Sequence, residues 1–269
     1  MSDIKILTII QARTGSSRMP NKTLFPLGDK CVLLYMIDRI KRSKLHGEII
    51  VATTTEQNDD TIELLCNAAE IKCYRGSQND LLDRHYKAAL PYSPDAVVKI
   101  PSDCPLIDPE IIDRVLKYYI INIDKFDYVS NLHPQSYPDG NDVEVFSFKA
   151  LETAWKEAKK DFEREHTTPF FWDNPERFRI GNVEWESGLD LSMNLRWTLD
   201  YPEDYDFIRL VVESLHEDNP FFGLNDIFNL LKINPSLKSI NNQHIGVNWY
   251  RHHLSELKTI DASKTKQTI

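Results

Sequence analysis

Cysteine is scarce in this chain, which has only four among 269 residues: Cys31, Cys66, Cys73 and Cys104. No two of them form a C-x-x-C pair, and most of them lie in apolar runs. The sequence therefore indicates neither a disulfide framework nor a zinc site, and we interpret most of the cysteines as buried thiols.

Long apolar stretches are also missing. No run approaches the ~18 consecutive apolar residues that a membrane helix needs. Residues 1–5 lack the basic region that precedes the apolar core of a secretory signal. With 41% hydrophobic and 27% charged residues, the composition is that of a globular protein of one or two domains. We therefore expect a cytoplasmic protein that does not bind membranes.

Positive charge is in the minority, with 32 Lys and Arg against 41 Asp and Glu and a formal net charge of −9. Broad binding to nucleic acid depends on basic residues that neutralise phosphates, so we expect no nucleic-acid partner. Any anionic ligand must be held by a local group of cations.

The first 130 residues alternate short β-branched runs with longer amphipathic segments, which is typical of a parallel sheet with crossover helices. Strands are predicted over residues 4–10, 48–53, 72–75, 96–100 and 128–130, in the order βαβαβαβαβ. Asp108, Pro109 and Glu110 provide an N-cap, a first helical residue and an acidic first turn for the fourth helix.

After residue 130 the pattern is looser, with a strand predicted over 143–146 and helices over 147–159 and 164–171. The sheet pattern resumes with a strand over 195–199, and helices follow over 202–216 and 224–231. We divide the chain into an α/β part (1–126), an inserted lobe (127–195), a return to the α/β core (196–250) and a polar C-terminal tail (251–269).

The loop after the first strand is basic. Residues 4–28 contain no Asp or Glu, and Arg13, Arg18 and Lys22 lie within the loop. Small residues let backbone N–H groups approach a phosphate, and ligands bind at the carboxyl ends of parallel strands, so the loop favours a polyphosphate. A solvated loop explains the composition equally well. Neither the Walker pattern nor G-x-G-x-x-G is present.

Asp103 and Asp200 each lie just beyond a predicted strand. If Pro202 begins a helix, Tyr201 takes the N-cap position and Asp200 has no capping role. Two such carboxylates opposite a basic loop suit magnesium, which binds one or two carboxylates together with substrate phosphates. On these residues alone, ordinary turn aspartates are the preferred alternative.

Nine short motifs resemble, in the same order, those of the SpsF-like cytidylyltransferases, relatives of the acylneuraminate and 3-deoxy-manno-octulosonate cytidylyltransferases. They cover residues 10–22, 51–54, 74–77, 81–84, 102–107, 137–140, 142–146, 164–166 and 199–204. The resemblance extends from about residue 4 to 250. This collinearity outweighs the alternatives of a solvated loop and turn aspartates.

The resemblance implies a Rossmann-like, GT-A-like nucleotidyltransferase fold: a three-layer α/β sandwich with a mostly parallel central sheet and an inserted lobe. It implies CTP and Mg²⁺ as nucleotide and cofactor, transfer of CMP to a small acceptor, and release of pyrophosphate. The acceptor would be a sugar acid, a polyol phosphate or a related metabolite for a surface polysaccharide or glycoconjugate. In-line attack by an acceptor oxygen would need no covalent enzyme nucleophile.

By position, the resemblance also implies roles for individual residues. The catalytic residues would be Arg13, Lys22, Asp103 and Asp200, with Asp103 and Asp200 as metal ligands. The nucleotide would be bound by Gln11, Ala12, Arg13, Gly15, Ser16, Arg18, Lys22, Thr53, Thr54, Arg75, Ser77, Asp83, Arg84 and Ser102. The acceptor would be bound by Asp139, Asp142, Glu144, Arg164, Glu165, His166 and Arg196. Two departures from the family pattern are Pro101-Ser102 in place of Thr-Gly, and Tyr201 in place of Thr.

Within the lobe, the forked donors of Arg164 and Arg196 suit an anionic acceptor. Alternatively, both arginines pair with acids of the chain itself, and the acceptor pocket is neutral. The resemblance to dimeric relatives and the rings of residues 170–172, Phe178 and Trp185 predict a homodimer. The alternative is that these rings pack onto the main sheet of the same chain.

Two other functions compete with cytidylyl transfer. A nucleotide-sugar-dependent glycosyltransferase normally carries Asp-x-Asp after a central strand, where this chain has Asp103-Cys104-Pro105. A non-catalytic nucleotide-binding module would be favoured by loss of Asp103, Asp200 or the basic loop. All of these are present, so both functions rank below cytidylyl transfer.

Overall fold

A computed structural model describes residues 4–266 of the protein, which contain nine strands and nine α-helices. The strands are β1 (Ile6–Gln11), β2 (Pro26–Leu27), β3 (Lys30–Cys31), β4 (Glu48–Thr54), β5 (Lys72–Gly76), β6 (Ala96–Pro101), β7 (Tyr128–Ser130), β8 (Glu144–Ser147) and β9 (Ile180–Asn182). The helices are α1 (Val32–Ile40), α2 (Asp60–Ala68), α3 (Leu81–Ala89), α4 (Pro109–Ile121), α5 (Phe148–Glu157), α6 (Asp161–His166), α7 (Pro169–Trp172), α8 (Pro202–Leu215) and α9 (Leu224–Ile233).

Seven strands form one sheet in the order β5-β4-β1-β6-β8-β7-β9. All neighbouring pairs are parallel except those of β8, which is antiparallel to both β6 and β7. Strands β2 and β3 form a separate antiparallel hairpin. The mostly parallel α/β fold predicted from the sequence is confirmed.

The central strand β1 shows why the sheet is covered on both faces. Its side chains alternate, so that Ile6 and Ile10 join one hydrophobic core and Leu7 and Ile9 join another. The first core contains residues of α1, α4 and α8, and the second contains residues of α3 and α5. Helices therefore pack on each side of the sheet, which makes three layers.

The strand predicted over residues 195–199 is wrong. Only Arg196 forms a β-bridge there, with Asp139, and the other residues of the segment have no regular secondary structure. The N–H of Trp197 donates to the carbonyl of Asp139, and the N–H of Leu199 donates to that of Asp103. The segment thus pairs with loops beyond the strand ends, where a continuous ladder cannot form.

Two local features of the lobe also differ from prediction. The helix predicted over residues 164–171 is divided into α6 and α7, because Thr167 has a φ of 69°. A positive φ lies outside the right-handed helical region, so the helix cannot continue through Thr167. Strand β9 was not predicted, because three residues are too few to show an alternation of apolar and polar side chains, and one of them is Gly181.

Four of the five rings behind the homodimer prediction are buried within the single chain, and the fifth, Trp185, is partly buried against the first core. Phe170, Phe171, Trp172 and Phe178 belong to the second core, and the Phe171 ring lies 5.2 Å from that of Phe146 in β8. These rings pack onto the main sheet, as the alternative in the sequence analysis had it. They give no support to the homodimer, which stays a prediction.

Residues 251–269 were interpreted as a polar tail, yet part of the segment 251–266 folds back onto the lobe. Leu257 is buried in the second core. The backbone N–H groups of Lys258 and Thr259 donate to the carboxylate of Asp173 at 2.6 and 2.9 Å. Widely spaced apolar residues such as Leu257 carry too weak a pattern to show this packing in the sequence.

Within residues 4–266, no helix is long and apolar enough to cross a membrane.

Candidate functional site

A cleft of about 530 Å³ opens beyond the carboxyl ends of β1 and β6. Its walls come from the loop over residues 11–22, from the turn after β6, from the lobe, and from residues 246–250 and 252–253. We call the first of these the cationic loop. The carboxyl ends of parallel strands thus meet the lobe and the C-terminal segment around one cavity, as open α/β sheets commonly arrange their ligand sites.

Thr14 holds the cationic loop in shape. Its carbonyl accepts hydrogen bonds from the N–H groups of Ser16 and Asn21, each at 2.9 Å. Its own N–H and hydroxyl donate to one oxygen of Asp59 at 2.7 and 2.6 Å, and Thr54 donates to the other. Asp59 is only 2% exposed. Burial alone would raise the pKa of Asp59, but these hydrogen bonds have the larger effect and lower the pKa below its usual value. The carboxylate therefore stays charged.

Lys22 joins the cationic loop to the two predicted metal aspartates. Its Nζ lies 2.9 Å from an oxygen of Asp200 and 3.6 Å from one of Asp103. It also donates to the carbonyl of Leu199 at 2.6 Å. Burial lowers the pKa of the Lys22 ammonium, but the two carboxylates outweigh burial and raise the pKa. An ammonium that is charged at neutral pH therefore faces the same space as both carboxylates.

Asp200 is surrounded by cations. Arg18 contacts it at 2.7 Å, on the same oxygen as Lys22, and Arg196 donates to its other oxygen at 3.2 Å. Burial raises the pKa of Asp200, and the three cations lower it well below its usual range. Asp200 is therefore ionised near neutral pH.

Arg196 is a fully buried hub whose side chain has no exposed surface. Its guanidinium donates to both oxygens of Asp204 at 2.9 and 3.1 Å, to Asp139 at 3.1 Å and to the carbonyl of Val247 at 3.0 Å. Together with the bond to Asp200, these contacts fix two acidic residues of the cleft in place. They leave the arginine no free donor for a ligand.

The far part of the cleft is aromatic. We call it the aromatic end, and its residues are His133, His166, Trp172, Trp249 and Tyr250. The Trp249 ring stacks on His166 with centroids 3.9 Å apart, and Trp172 lies 4.3 Å from His133. Burial lowers the pKa of His166 to about 3 and that of His133 to about 4, so both rings are uncharged near neutral pH.

A buried ion pair lies beneath the aromatic end. The ammonium of Lys99 in β6 contacts Glu144 of β8 at 2.6 Å and donates to the carbonyl of His166 at 3.2 Å. Tyr128 donates to the other oxygen of Glu144 at 2.6 Å. Glu144 thus has a charged donor on one oxygen and a neutral donor on the other, and its ion pair joins the neighbouring strands β6 and β8.

Asp139 and Asp142 lie between the aromatic end and the pair Asp103 and Asp200. Burial raises the pKa of Asp139 to about 7, against the opposing effect of Arg196. Burial and the neighbouring carboxylates of Asp139 and Asp103 raise the pKa of Asp142 well above its usual value. One buried oxygen of Asp142 has no hydrogen-bond partner among residues 4–266.

The structure brings most of the predicted site residues together around the cleft. Those that line it are Gln11, Ala12, Arg13, Ser16, Arg18, Lys22, Arg84, Ser102, Asp103, Asp139, Asp142, Glu144, Glu165, His166, Arg196 and Asp200. Gly15 and Thr54 line a smaller hollow of about 80 Å³ beside the cationic loop, and Arg13 faces both spaces.

Five predicted residues lie outside both spaces. Arg75 is held at the sheet edge by the carbonyl of Thr54 and by the carboxylates of Asp60 and Glu63. Thr53 is fully buried in β4, and the hydroxyl of Ser77 accepts from the N–H of Asp80. The remaining two, Asp83 and Arg164, do not face the cleft either.

Asp83 and Arg164 have structural partners. Asp83 accepts from the indole of Trp155 at 2.8 Å and pairs with Lys87. Arg164 pairs with Asp80 and donates to the carbonyl of Trp155. With Arg196 also fully engaged, neither arginine offers a donor to an acceptor anion, which corresponds to the alternative left open by the sequence.

Several lining residues were absent from the predicted site. They are Gln78, Asn79, Lys99, His133, Trp172, Trp249 and Tyr250. Lys99 carried a usable signal, because a lysine within the apolar run of β6 must have a buried partner. Asp59 and the residues after 246 carried none, since their roles depend on contacts with distant parts of the chain.

Comparisons with known proteins agree with this geometry. A profile of the cytidylyltransferase family matches residues 7–257. An uncharacterized protein of Methanocaldococcus jannaschii is 41% identical over 88% of this chain and 95% of its own length. The spore coat polysaccharide biosynthesis protein SpsF of Bacillus subtilis is 28% identical over 86% of this chain and 95% of its own length.

Among solved structures, a cytidylyltransferase from Leptospira borgpetersenii matches with a TM-score of 0.82 and 33% identity. The match covers 87% of this chain and 97% of the other. The resemblance read from the nine motifs is confirmed. This chain belongs to the cytidylyltransferase family and is a nucleotidyltransferase.

Proposed function

We propose that this enzyme transfers CMP from CTP to a small polyhydroxylated acceptor, a sugar acid, polyol phosphate or related metabolite, and releases pyrophosphate. The similarity to the spore coat polysaccharide protein supports a role in making a surface polysaccharide or glycoconjugate. The observation that carries the proposal is the placement of Lys22 between Asp103 and Asp200, at the end of a cationic loop that opens into the cleft.

The cationic loop is suited to a triphosphate. Arg13, Arg18 and Lys22 all line the cleft, and the bonds from Thr14 to Asp59 hold the loop backbone before any ligand binds. Catalysis of phosphoryl-type transfer depends mainly on positioning and on stabilising developing negative charge. Lys22, which is charged and fixed by three contacts, would provide that stabilisation at the reacting phosphate.

We further propose Mg²⁺ as the cofactor, held by Asp103 and Asp200 together with nucleotide phosphates. Residues 4–266 contain no group of three or more His, Cys, Asp or Glu side chains that could hold a metal. Two carboxylates fit magnesium, which commonly binds one or two of them and takes its remaining ligands from phosphates and water. When bound, the ion would neutralise charge on the phosphates. Asp103 suits this role because it is 30% exposed and contacts only one cation, Lys22, among the described residues.

A glycosyltransferase fits the site less well. The residue two positions after Asp103 is Pro105, and the intervening Cys104 is buried, so a second carboxylate is missing from the turn that would hold the metal. Retention of Asp103, Asp200 and all three loop cations also speaks against a module that only binds nucleotide. The cytoplasmic location and the homodimer remain proposals.

Pyrophosphate release tests the proposed function. Enzyme, CTP and Mg²⁺ are incubated with a panel of sugar acids, polyols and polyol phosphates, beside parallel reactions that follow turnover of nucleotide sugars. Pyrophosphate release that requires both CTP and one class of acceptor supports the proposal. Turnover of a nucleotide sugar, or no release with any member of the panel, contradicts it.

A further inference from the structure

Tyr201, the N-cap residue of α8, contacts two side chains with its ring. The ring stacks almost parallel on that of His244, with centroids 3.8 Å apart and 3° between the planes. The guanidinium carbon of Arg18 lies over the same ring, 5.1 Å from its centroid. Tyr201 is not among the residues that line the cleft, whereas Arg18 is. Arg18 therefore connects this ring to the site.

Arg18 is held in place while most of its hydrogen-bond donors stay open. One terminal nitrogen contacts Asp200 at 2.7 Å, and the side chain makes no other ion pair or hydrogen bond within residues 4–266. Its side chain is 44% exposed. Stacking occupies the flat face of a guanidinium and leaves the N–H groups at its edge available. Nε and the second terminal nitrogen can therefore donate to an anion in the cleft.

The ring of Tyr201 is itself held firmly. His244, on which it stacks, is only 5% exposed, and its Nε2 lies 3.1 Å from the carboxylate of Glu203. The backbone N–H of Tyr201 donates to Asp204 at 3.0 Å. Both ends of the tyrosine are thus fixed by contacts within the chain. A fixed ring restricts the orientations that the long side chain of Arg18 can adopt.

We propose that Tyr201 is a positioning residue for nucleotide binding, whose ring holds Arg18 so that its open N–H groups are directed at the triphosphate. A guanidinium is attracted to the negative face of an aromatic ring. A side chain that is oriented beforehand loses less conformational freedom when the ligand binds. The inference rests on the proposed function, because it takes the ligand of Arg18 to be the triphosphate of CTP.

Three substitutions of Tyr201 separate the ring from other roles of this residue. Tyr201→Thr removes the ring but supplies a better N-cap for α8, so helix capping should not suffer. Tyr201→Leu keeps an apolar side chain without an aromatic face, and Tyr201→Phe keeps the ring. Phe221→Thr is the matched control, because Arg42 lies 4.6 Å from the Phe221 ring centroid and neither residue lines the cleft.

Calorimetry measures the binding of CTP and of inorganic tripolyphosphate at one Mg²⁺ concentration, so no acceptor is needed. We expect Tyr201→Thr and Tyr201→Leu to weaken the binding of both ligands by about threefold to tenfold, as loss of a cation–aromatic contact allows. Tyr201→Phe and Phe221→Thr should bind both ligands as wild type does.

A double-mutant cycle shows whether the ring acts through Arg18. In an Arg18→Ala background, Tyr201→Thr should change the affinity by less than about twofold, because effects of residues that act through one another do not add. The cycle also distinguishes Arg18 from Arg196, whose guanidinium carbon lies 5.7 Å from the same ring centroid.

Wild-type affinity in Tyr201→Thr, an equal loss in Tyr201→Phe, or the same loss with and without Arg18 overturns the inference. So does a loss for CTP alone, because the ring would then act on the nucleoside, and so does failure of wild type to bind either ligand. If Tyr201→Thr does not fold, Tyr201→Leu decides. If neither folds, the ring is structural and the inference is wrong.

Failure of the proposed function is distinguishable from these outcomes. Absence of pyrophosphate release from CTP with every acceptor would refute cytidylyl transfer. The coupling between Tyr201 and Arg18 in tripolyphosphate binding would still be measured and would stand or fall separately.

Discussion

The ammonium of Lys22 lies 2.9 Å from a carboxylate oxygen of Asp200, which is 178 positions further along the chain. The same ammonium is 3.6 Å from Asp103. One cation thus connects the cationic loop, the turn after β6 and the segment before α8. The proposed phosphate end of the site forms only when these three segments are folded together.

Lys22→Ala should weaken CTP binding by about tenfold to a hundredfold, because it removes a charge-assisted contact worth ~1.5–3 kcal/mol. Isothermal titration with CTP and Mg²⁺ measures the change. Lys30→Ala is the control, since that lysine is exposed and pairs with Asp38 away from the cleft. An unchanged affinity in Lys22→Ala would remove the lysine from the nucleotide site.

Asp103→Asn and Asp200→Asn should both abolish most turnover, yet differ in stability. Asp200 pairs with Lys22, Arg18 and the buried Arg196, so its loss should lower the free energy of unfolding by about 1–3 kcal/mol. Asp103 is more exposed and has one distant cation, so its variant should unfold like wild type. Urea titrations compare the two, and equal losses of stability would contradict the asymmetry.

Asp59→Asn tests whether the buried carboxylate positions the cationic loop. The variant keeps the size of the side chain but weakens its acceptance of the Thr14 N–H and hydroxyl, so the affinity for CTP should fall by about tenfold. Asp60→Asn, at the next position in the chain, is the matched control. The carboxylate of Asp60 is half exposed and pairs only with Arg75 among the described residues. If both variants bind CTP as wild type does, Asp59 has no positioning role.

The burial of His85 leads us to expect that the protein loses stability in acid. The ring is fully buried, and burial lowers its pKa to about 3, against about 6.5 when unfolded. The unfolded chain therefore binds a proton that the folded chain does not, so stability is full above pH 6.5 and falls towards the folded pKa. The slope from this residue is at most ~1.4 kcal/mol per pH unit.

Thermal or urea unfolding between pH 7 and pH 5 measures this contribution. His85→Gln should flatten the dependence on pH, and His252→Gln, at an exposed histidine, should leave it as in wild type. Identical slopes in His85→Gln and wild type would show that the buried ring does not control the acid response.

The fold was largely predictable where each segment has a clear hydrophobic periodicity of its own. Strands β1, β4, β5 and β6 and the helices that connect them combine apolar repeats with clear turn and cap residues, as at Asp108 and Pro109. Prediction failed where tertiary contacts decide. The segment 195–199 has the composition of a strand but pairs with loops, and residues after 246 pack through a few scattered side chains.

The site divides in the same way. The cationic loop, Asp103 and Asp200 could be predicted from the sequence because they follow strands and match family motifs. The ion pairs of Arg164 with Asp80 and of Arg196 with Asp204 could not be predicted, because no local sequence pattern indicates which acidic residue an arginine contacts. Charge alone had suggested an anion site, whereas all five donors of Arg196 are taken up by the chain and Arg164 does not face the cleft.

The most direct test of the account is a calorimetric titration of the enzyme with CTP, UTP, ATP and GTP in the presence of Mg²⁺. The cytidylyltransferase site described above predicts that CTP binds at least about tenfold more tightly than the other three, since a site that hydrogen-bonds one base leaves polar groups unpaired with another. It also predicts that a chelator weakens binding of CTP. Equal affinity for UTP or ATP, or binding of CTP that is indifferent to the chelator, would contradict it.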